Sequence, residues 1–310
     1  IITYGGTIVP ILRGFSLDDI VHILRHSGAR LFMVSGAIFR TLSIGKLKDN
    51  EAIFSLDSGK LLAGKDMDKV QRALDTLPQR FADSYPNGFR PTDISYPTVS
   101  NDAVIVLNYT SGTTGFSKGV MLTGWNLAGN VVFGLRSRLH KERTRVLTFL
   151  PLAHAYGCAF DMLTPLAAGS HITVLGRTPS PAVLLKALSE VRPHLILSVP
   201  LVFEKIYRKR IEPVISTPRM QQMLQTPVLK NIVKRKLRQK LVKTFGGSFR
   251  QVVIGGAALD AATEAFLRMI NFPFTVGYGM TECGPLVSYT PWKEFIPSSA
   301  GRTLPEIMES

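Results

Sequence analysis

The chain has 310 residues, of which 45% are hydrophobic and 19% charged, with a formal net charge of +15. This composition excludes a disordered chain and is enough for the core of one large α/β domain or of two lobes. No apolar run approaches the roughly 20 residues that span a bilayer, and the two cysteines lack metal-ligand spacing, which favours a reducing cytoplasm.

The first half of the sequence alternates apolar strands with amphipathic helices. Ser16 is predicted to begin a helix, because Asp19 completes a capping box and Gly28 supplies a left-handed stop. The elements that follow are a strand at 29–35, a short helix at 37–42, a strand at 51–56, a helix at 66–77 and a strand from 103. Residues 78–100 have no apolar period and are predicted to form a long surface connection.

The second half repeats the same alternation more regularly. Strands are predicted at 145–151, 171–176, 194–200, 251–256 and 274–279, and helices at 125–139, 155–168, 181–191, 202–211, 230–244 and 261–270. Strands that are apolar on both faces and separated by helices indicate a parallel sheet covered on both sides. We therefore predict an α/β fold of two doubly wound lobes, 1–141 and 142–290, with 291–310 beginning a further subdomain. Ligands in such sheets bind beyond the carboxyl ends of the strands.

The stretch "YTSGTTGFSKGV" follows one of these apolar strands and is typical of a phosphate-binding loop. Its glycines allow backbone N–H groups to face an anion, while hydroxyls and a lysine add donors and positive charge. The residues concerned are Thr110, Ser111, Gly112, Thr113, Thr114, Gly115 and Lys118. It is not a Walker A loop, because Lys118 follows a serine and precedes a glycine.

An alternative lies inside the same stretch, since "GFSKG" matches the GxSxG elbow of serine hydrolases. Ser117 would be the nucleophile, with Asp161 and His194 as partners in the required chain order. The context disfavours this hypothesis, because an elbow joins a strand directly to a helix, whereas the residues after Gly119 have an extended pattern.

Two further junctions carry candidate chemistry. In "GYGMTECG", Glu282 stands where a dinucleotide-binding fingerprint needs its third glycine, so a Rossmann motif is disfavoured. A carboxylate at this position favours a magnesium ligand, and the structural alternative is that Glu282 caps the next turn. In "FLPLAHAYG", His154 follows a strand end and is either packed or functional. His22 and His26 share a helical face but lack a third ligand, so a metal site there is disfavoured.

Taken together, these motifs resemble the adenylate-forming superfamily of acyl-CoA synthetases, adenylation domains and firefly luciferase. "YTSGTTGFSKGV" looks like its phosphate loop, "LPLAHAYG" its histidine motif, "IGGAAL" its adenine-side strand end and "GYGMTE" its nucleotide and magnesium motif. "VPLVFEKIYRKRI" and the basic helix before "GGSFRQVVIGGAAL" look most like the long-chain fatty acid CoA ligases.

This resemblance implies that a fatty carboxylate attacks the α-phosphate of ATP, and that the thiol of CoA then displaces AMP. In this family pattern the loop residues named above would bind phosphate, and Glu282 would bind magnesium. Adenine would be bound by Gly255, Gly256, Ala257, Tyr278 and Gly279, and the acyl substrate would contact His154 and Gly277. The implied catalytic residues are Lys118, His154, Thr281 and Glu282. The implied cofactors are ATP and Mg²⁺, with CoA as co-substrate; a carrier-protein acceptor and a nucleotide-binding module without turnover are the alternatives.

Two features depart from the family pattern. Ser117 stands where the family usually has proline, so the loop loses a fixed φ. The chain has no initiating methionine and stops before the family's small C-terminal domain and its catalytic lysine, so we predict a fragment. We expect no nucleic-acid partner. The basic segment 230–243 is interpreted first as the solvated face of an ordinary packed helix, with peripheral membrane contact of a cytoplasmic protein as the alternative, and a homodimer is a further alternative.

Overall fold

A computed structural model describes residues 1–42, 47, 50–110, 118–177 and 179–304. It confirms the α/β class. The chain forms two compact units, Ile1–Thr123 and Gly124–Ser310. The lobe boundaries given above, at 141/142 and 290/291, stay predictions.

Over its described residues, the first unit contains two small sheets and three α-helices. Its elements are α1 (Leu17–Ser27), β1 (Leu31–Val34), α2 (Gly36–Phe39), β2 (Ala52–Ser55), β3 (Leu61–Ala63), α3 (Met67–Ser84), β4 (Val104–Thr110) and β5 (Lys118–Thr123). β2 pairs parallel with β1 and antiparallel with β3, and β4 pairs antiparallel with β5. The predicted capping box at Ser16 and the left-handed Gly28 are both present, which fixes α1 at each end.

The prediction that the helix at 66–77 stops before Pro78 was wrong. α3 continues through Pro78 to Ser84. Two interactions support this extra length: the Gln79 side chain donates to Asp83 Oδ1 at 2.7 Å, and Phe81 packs against Tyr85 with ring centroids 5.0 Å apart. Contacts between side chains one helical turn apart therefore compensate for the hydrogen bond that Pro78 cannot donate.

The second unit is built around one five-stranded parallel sheet. Its strands are β6 (Arg145–Thr148), β7 (His171–Val174), β8 (Leu195–Ser198), β9 (Gln251–Ile254) and β10 (Phe274–Val276), and a small antiparallel sheet adds β11 (Tyr278–Gly279), β12 (Leu286–Tyr289) and β13 (Arg302–Thr303). The helices are α4 (Gly124–Arg136), α5 (Thr164–Ala167), α6 (Pro181–Val191), α7 (Pro200–Ile206), α8 (Glu212–Ile215), α9 (Pro218–Gln225), α10 (Pro227–Thr244) and α11 (Ala261–Met269).

The strand order of the parallel sheet is β10-β9-β8-β6-β7. The chain therefore moves outward from β6 to β7, crosses back to β8 and continues in the opposite direction, which is the doubly wound arrangement. All four residues of β8 are buried, as expected for a central strand covered on both faces. The strand order reverses between β6 and β8, so the crevice beyond their carboxyl ends is the place where such a sheet binds a ligand.

Candidate functional site

His154 lies in the turn that leaves the carboxyl end of β6. Its Nδ1 atom accepts a hydrogen bond from the Tyr156 amide at 3.2 Å. In the neutral ring the proton is therefore on Nε2, which is a donor. Partial desolvation lowers the pKa of His154, so this neutral form dominates at pH 7.

Asp161 stabilises the backbone that leads into the same turn. Its side chain is fully buried, and Oδ2 accepts hydrogen bonds from the amides of Phe149 at 3.2 Å and Leu150 at 3.4 Å. Burial raises the pKa of Asp161 to about 7, although these two amide bonds act in the opposite direction. The carboxylate thus fixes the backbone that leads from β6 to His154.

Tyr156 joins the histidine turn to the next strand ends. Its ring lies in the interior, and its hydroxyl donates to the Val253 carbonyl at 3.1 Å. A Cβ at Gly255 would lie 3.4 Å from both the Tyr156 ring and the Gly277 carbonyl. Segments that follow β6, β9 and β10 therefore meet at Gly255, as the parallel sheet requires.

A cavity of about 460 Å³ opens beside this meeting point. It is lined by the predicted adenine-binding residues Gly256, Ala257, Tyr278 and Gly279, by the predicted acyl-contact residue Gly277, and by Ala258, Leu259, Ala261, Glu264, Val276, Ser298, Ser299 and Ala300. Gly255 lies behind this wall rather than in it. Tyr278 is 52% exposed, so one face of its ring is available to a flat ligand.

The far wall of the cavity was not predicted from the sequence. The Glu264 carboxylate, on α11, accepts a hydrogen bond from the Ser298 amide at 3.0 Å and so holds residues 298–300 against the helix. The only sequence signal was a glutamate on an otherwise apolar helix face, between Thr263 and Phe266, which indicates a buried partner.

Thr281 and Glu282 lie in a short turn between β11 and β12, which we call the acidic turn (residues 280–286). It is closed by hydrogen bonds from the Met280 amide to the Pro285 carbonyl at 2.8 Å and from the Cys283 amide to the Met280 carbonyl at 3.0 Å. Glu282 is exposed and Thr281 half-buried. The turn therefore follows directly after Gly279, which lines the cavity, and carries an exposed carboxylate, but Thr281 and Glu282 are not among the residues that line the cavity.

The predicted phosphate loop belongs to the first unit. Its flanks are ordered as a hairpin, with Thr110 at the end of β4 paired with Lys118 at the start of β5. The extended pattern predicted after Gly119 is confirmed, because β5 runs to Thr123. Ser111, Gly112, Thr113, Thr114, Gly115 and Ser117 lie outside the described residues.

The geometry of Asp161 and His194 does not support the hydrolase alternative. Asp161 binds amides just beyond the carboxyl end of β6, whereas the His194 Nδ1 atom accepts the amide of Arg145, the first residue of β6, at 3.2 Å. Four residues of extended strand separate these positions by about 13 Å. The two side chains therefore serve opposite ends of one strand instead of forming a dyad.

The histidine pair of α1 also has a structural partner. His26 Nδ1 lies 2.7 Å from the Tyr109 hydroxyl, and the rings of His22 and His26 are stacked. Over the described part of the chain, no group of three His, Cys, Asp or Glu residues is placed to hold a metal ion.

The profile of the AMP-binding enzyme family matches residues 1–308. The chain belongs to this family. Among similar AMP-binding proteins, the long-chain-fatty-acid–CoA ligase FadD15 of Mycobacterium bovis is 32% identical over 226 residues, which are 64% of this chain and 36% of that enzyme. The long-chain-fatty-acid–CoA ligase 1 of Schizosaccharomyces pombe is 26% identical over 300 residues, covering 89% of this chain and 43% of its own.

A solved structure shares the AMP-binding fold. The o-succinylbenzoate coenzyme A synthetase MenE of Bacillus subtilis, in complex with ATP and magnesium ion, superposes with a TM-score of 0.65 at 19% identity, over 96% of this chain and 50% of that one. The chain thus spans half or less of the length of each of these proteins.

Proposed function

We propose that the protein to which this chain belongs activates a fatty acid with ATP and transfers the acyl group to CoA. The observation that carries this proposal is the cavity at the carboxyl edge of the parallel sheet, with its glycine walls and the exposed ring of Tyr278. Its volume of about 460 Å³ suits a nucleoside, and glycines allow the close backbone approach that a flat base needs.

The acidic turn would supply the groups that act on the phosphates. Attack of a carboxylate on a polyphosphate is opposed by like charge, which Mg²⁺ offsets when it is bound. Glu282 fits that ion, because one exposed carboxylate together with nucleotide phosphates and water is a usual ligand set for Mg²⁺. Thr281 would donate to the α-phosphate, and Thr110, Lys118 and the loop between them would hold the β- and γ-phosphates.

His154 would hold the acyl carboxylate. Since its Nδ1 atom accepts the Tyr156 amide, the Nε2 proton would be the donor to the substrate. A neutral donor orients the carboxylate without forming an ion pair that would weaken its attack. Asp161 holds the backbone of this turn in place.

A long-chain fatty acid is the proposed substrate, and CoA the proposed acceptor. The support is the activity for which the two relatives described above are named, both long-chain-fatty-acid–CoA ligases, together with the resemblance of the basic helical segment to that group. A carrier-protein acceptor and a nucleotide-binding module without turnover remain the competing hypotheses.

The test is to incubate the purified protein with palmitate, ATP and Mg²⁺, with and without CoA, and to measure acyl-AMP and acyl-CoA by mass spectrometry. We expect acyl-AMP from the wild type, a loss of about 100-fold in Glu282→Ala and a small change in Ser117→Ala. ATP binding without acyl-AMP would support the module hypothesis, and loss of all turnover in Ser117→Ala alone would support a hydrolase.

We also infer that α10 contacts an anionic lipid surface. The helix exposes Val228 at 71%, Leu229 at 39% and Ile232 at 46% near its start, and it carries lysines and arginines without any acidic residue. Apolar side chains flanked by cations are typical of interfacial helices. No helix in the described part of the chain is long and apolar enough to cross a membrane.

Sedimentation with vesicles tests this contact. We expect binding to vesicles that contain phosphatidylglycerol and little binding to pure phosphatidylcholine, with a clear loss in the double variant Val228→Ser/Ile232→Ser. Equal binding to both kinds of vesicle, or binding that the double variant retains, would contradict the inference.

A further inference from the structure

We propose that Asn130, on α4, is a positioning residue for the acidic turn, and that it sets the affinity of the site for magnesium-bound nucleotide. The proposal rests on the function proposed for Glu282 and goes beyond it, since no sequence motif drew attention to this asparagine. Its side chain is 1% exposed, so its polar atoms are committed to protein partners.

The Asn130 amide holds the acidic turn on both sides of Gly284. Its Nδ2 atom donates to the Cys283 carbonyl at 3.1 Å and to the Asn126 carbonyl at 2.9 Å, and its Oδ1 atom accepts the Leu286 amide at 2.9 Å. A carboxamide carries a donor group and an acceptor group on one rigid plane. Neither a carboxylate nor an aliphatic side chain could make both attachments.

These attachments matter because they join the turn to α4. The backbone hydrogen bonds among residues 280–285 close the turn but do not connect it to the helix. Glu282 directly precedes Cys283, whose carbonyl Asn130 binds. A shift of the turn would therefore move the carboxylate that is proposed to bind Mg²⁺, while the glycine walls of the cavity stay in place.

Gly284 shows how closely the turn approaches α4. Its φ is +69°, and a Cβ there would lie 2.7 Å from the Asn126 carbonyl and 3.1 Å from Asn130 Nδ2. Gly284→Ala should therefore push the same turn away from the helix while Asn130 itself remains intact. This gives a second, independent way to disturb the attachment.

The experiment compares two ligands, MgATP and adenosine, by isothermal titration calorimetry. For Asn130→Ala we expect MgATP binding about tenfold weaker, as for loss of an outer-shell partner of a metal ligand, with adenosine affinity changed by less than about twofold. Gly284→Ala should show the same selectivity. A residue that only stabilises the fold would not separate the two ligands.

The matched control is Asn50→Ala in the first unit. Asn50 is also buried, at 5% exposure, and donates to the Ala29 carbonyl at 2.8 Å, so its loss should lower stability and leave both affinities unchanged. Two results would overturn the positioning role and leave the proposed function intact, provided that the wild type binds MgATP. In the first, Asn130→Ala binds MgATP as well as the wild type does; in the second, Asn130→Ala loses affinity for MgATP and adenosine to the same extent. If wild type binds neither ligand, both the positioning role and the proposed function are overturned.

Discussion

The two edges of the five-stranded parallel sheet differ in chemistry, although the same strands build both. The carboxyl edge carries glycines, Tyr156 and the cavity, and among the described residues that line the cavity none is basic. The amino edge carries basic side chains where strands begin, including Arg145 and His171, with Arg250 just before β9. The net charge of +15 is thus not a guide to the residues that line this cavity.

Arg145, at the amino edge, has structural partners of its own. The Arg145 guanidinium donates from Nε to the Val191 carbonyl at 3.1 Å and from Nη2 to the Arg192 carbonyl at 2.9 Å, both at the end of α6. A cation there satisfies the free carbonyls of a helix C-terminus and complements its dipole. One edge therefore stabilises helix ends, and the other is free to bind a ligand.

The largest predicted effect comes from two buried groups with opposite pKa shifts. Burial raises the pKa of Asp161 to about 7, so its contribution to stability is full below pH 4 and is lost as the pH rises to 7. Burial lowers the pKa of His140 to about 4; the hydrogen bond to the Phe160 carbonyl opposes this shift, and the charge of Arg250 adds to it. The contribution of His140 to the free energy of unfolding is therefore full above pH 6.5 and is lost as the pH falls to 4. Between pH 4 and 6.5 the two slopes oppose each other.

Removing one of the two groups should leave the pH dependence of the unfolding free energy that the other group causes. Relative to wild type, the unfolding free energy of Asp161→Asn should fall by about 1 kcal/mol for each pH unit from 6.5 down to 4, and that of His140→Gln should fall by a similar amount for each unit upward from 4. Urea denaturation at pH 4.5, 5.5 and 6.5 measures both. Slopes of the same sign would contradict the assignment.

A pair of glycine variants separates the edges by function. Gly256 (φ +88°) lines the cavity and Gly169 (φ +66°) lies at the amino edge, and the nearest atoms to a new Cβ are 3.7 and 3.6 Å away, respectively. Alanine at either position should cost about 1 to 2 kcal/mol of stability through its positive φ. Only Gly256→Ala should weaken adenosine binding, by about tenfold in calorimetry; equal effects on binding would remove the distinction.

Arg145→Gln tests the structural role of the amino edge. Loss of charged hydrogen bonds at a partly exposed position should lower the unfolding free energy by about 1 to 2 kcal/mol. Adenosine and MgATP affinities should stay within twofold of wild type. A large loss of affinity would show that the amino edge takes part in binding.

Tyr156→Phe should have the smallest effect. It keeps the ring against Gly255 and removes only the hydroxyl that binds the Val253 carbonyl, so we expect a stability loss of about 1 kcal/mol. Denaturation measures it, with Tyr278→Phe, whose side chain is 52% exposed, as the control that leaves stability unchanged.

The strands and the motif positions of the second unit could be predicted because local patterns encode them. Runs that are apolar on both faces predict buried parallel strands, and parallel strands bring their carboxyl ends together whatever lies between them in sequence. Hence Gly256, Gly277 and Tyr278 could be assigned to one place before their contacts were known.

Partners chosen by tertiary packing could not be predicted in this way. Asn130 is 153 residues from Cys283, and Glu264 is 34 residues from Ser298. A polar residue in an apolar helix stripe, such as Asn130 between Leu127 and Phe133, indicates that a partner exists but does not identify it. The continuation of α3 past Pro78 was missed for a different reason, because side-chain contacts one helical turn apart offset the effect of the proline.

The burial of the parallel sheet falls off toward its β7 edge. All residues of β8 are buried, and so are those of the opposite edge strand, β10, whereas β7 has exposed residues at both ends, and Val174 is 57% exposed. Amide hydrogen exchange should follow this gradient, because local opening needs little free energy where few apolar contacts are lost. The amides of β7 should exchange first and those of β8 only when the whole unit unfolds, so β8 is the part of the site's framework that thermal fluctuation disturbs least.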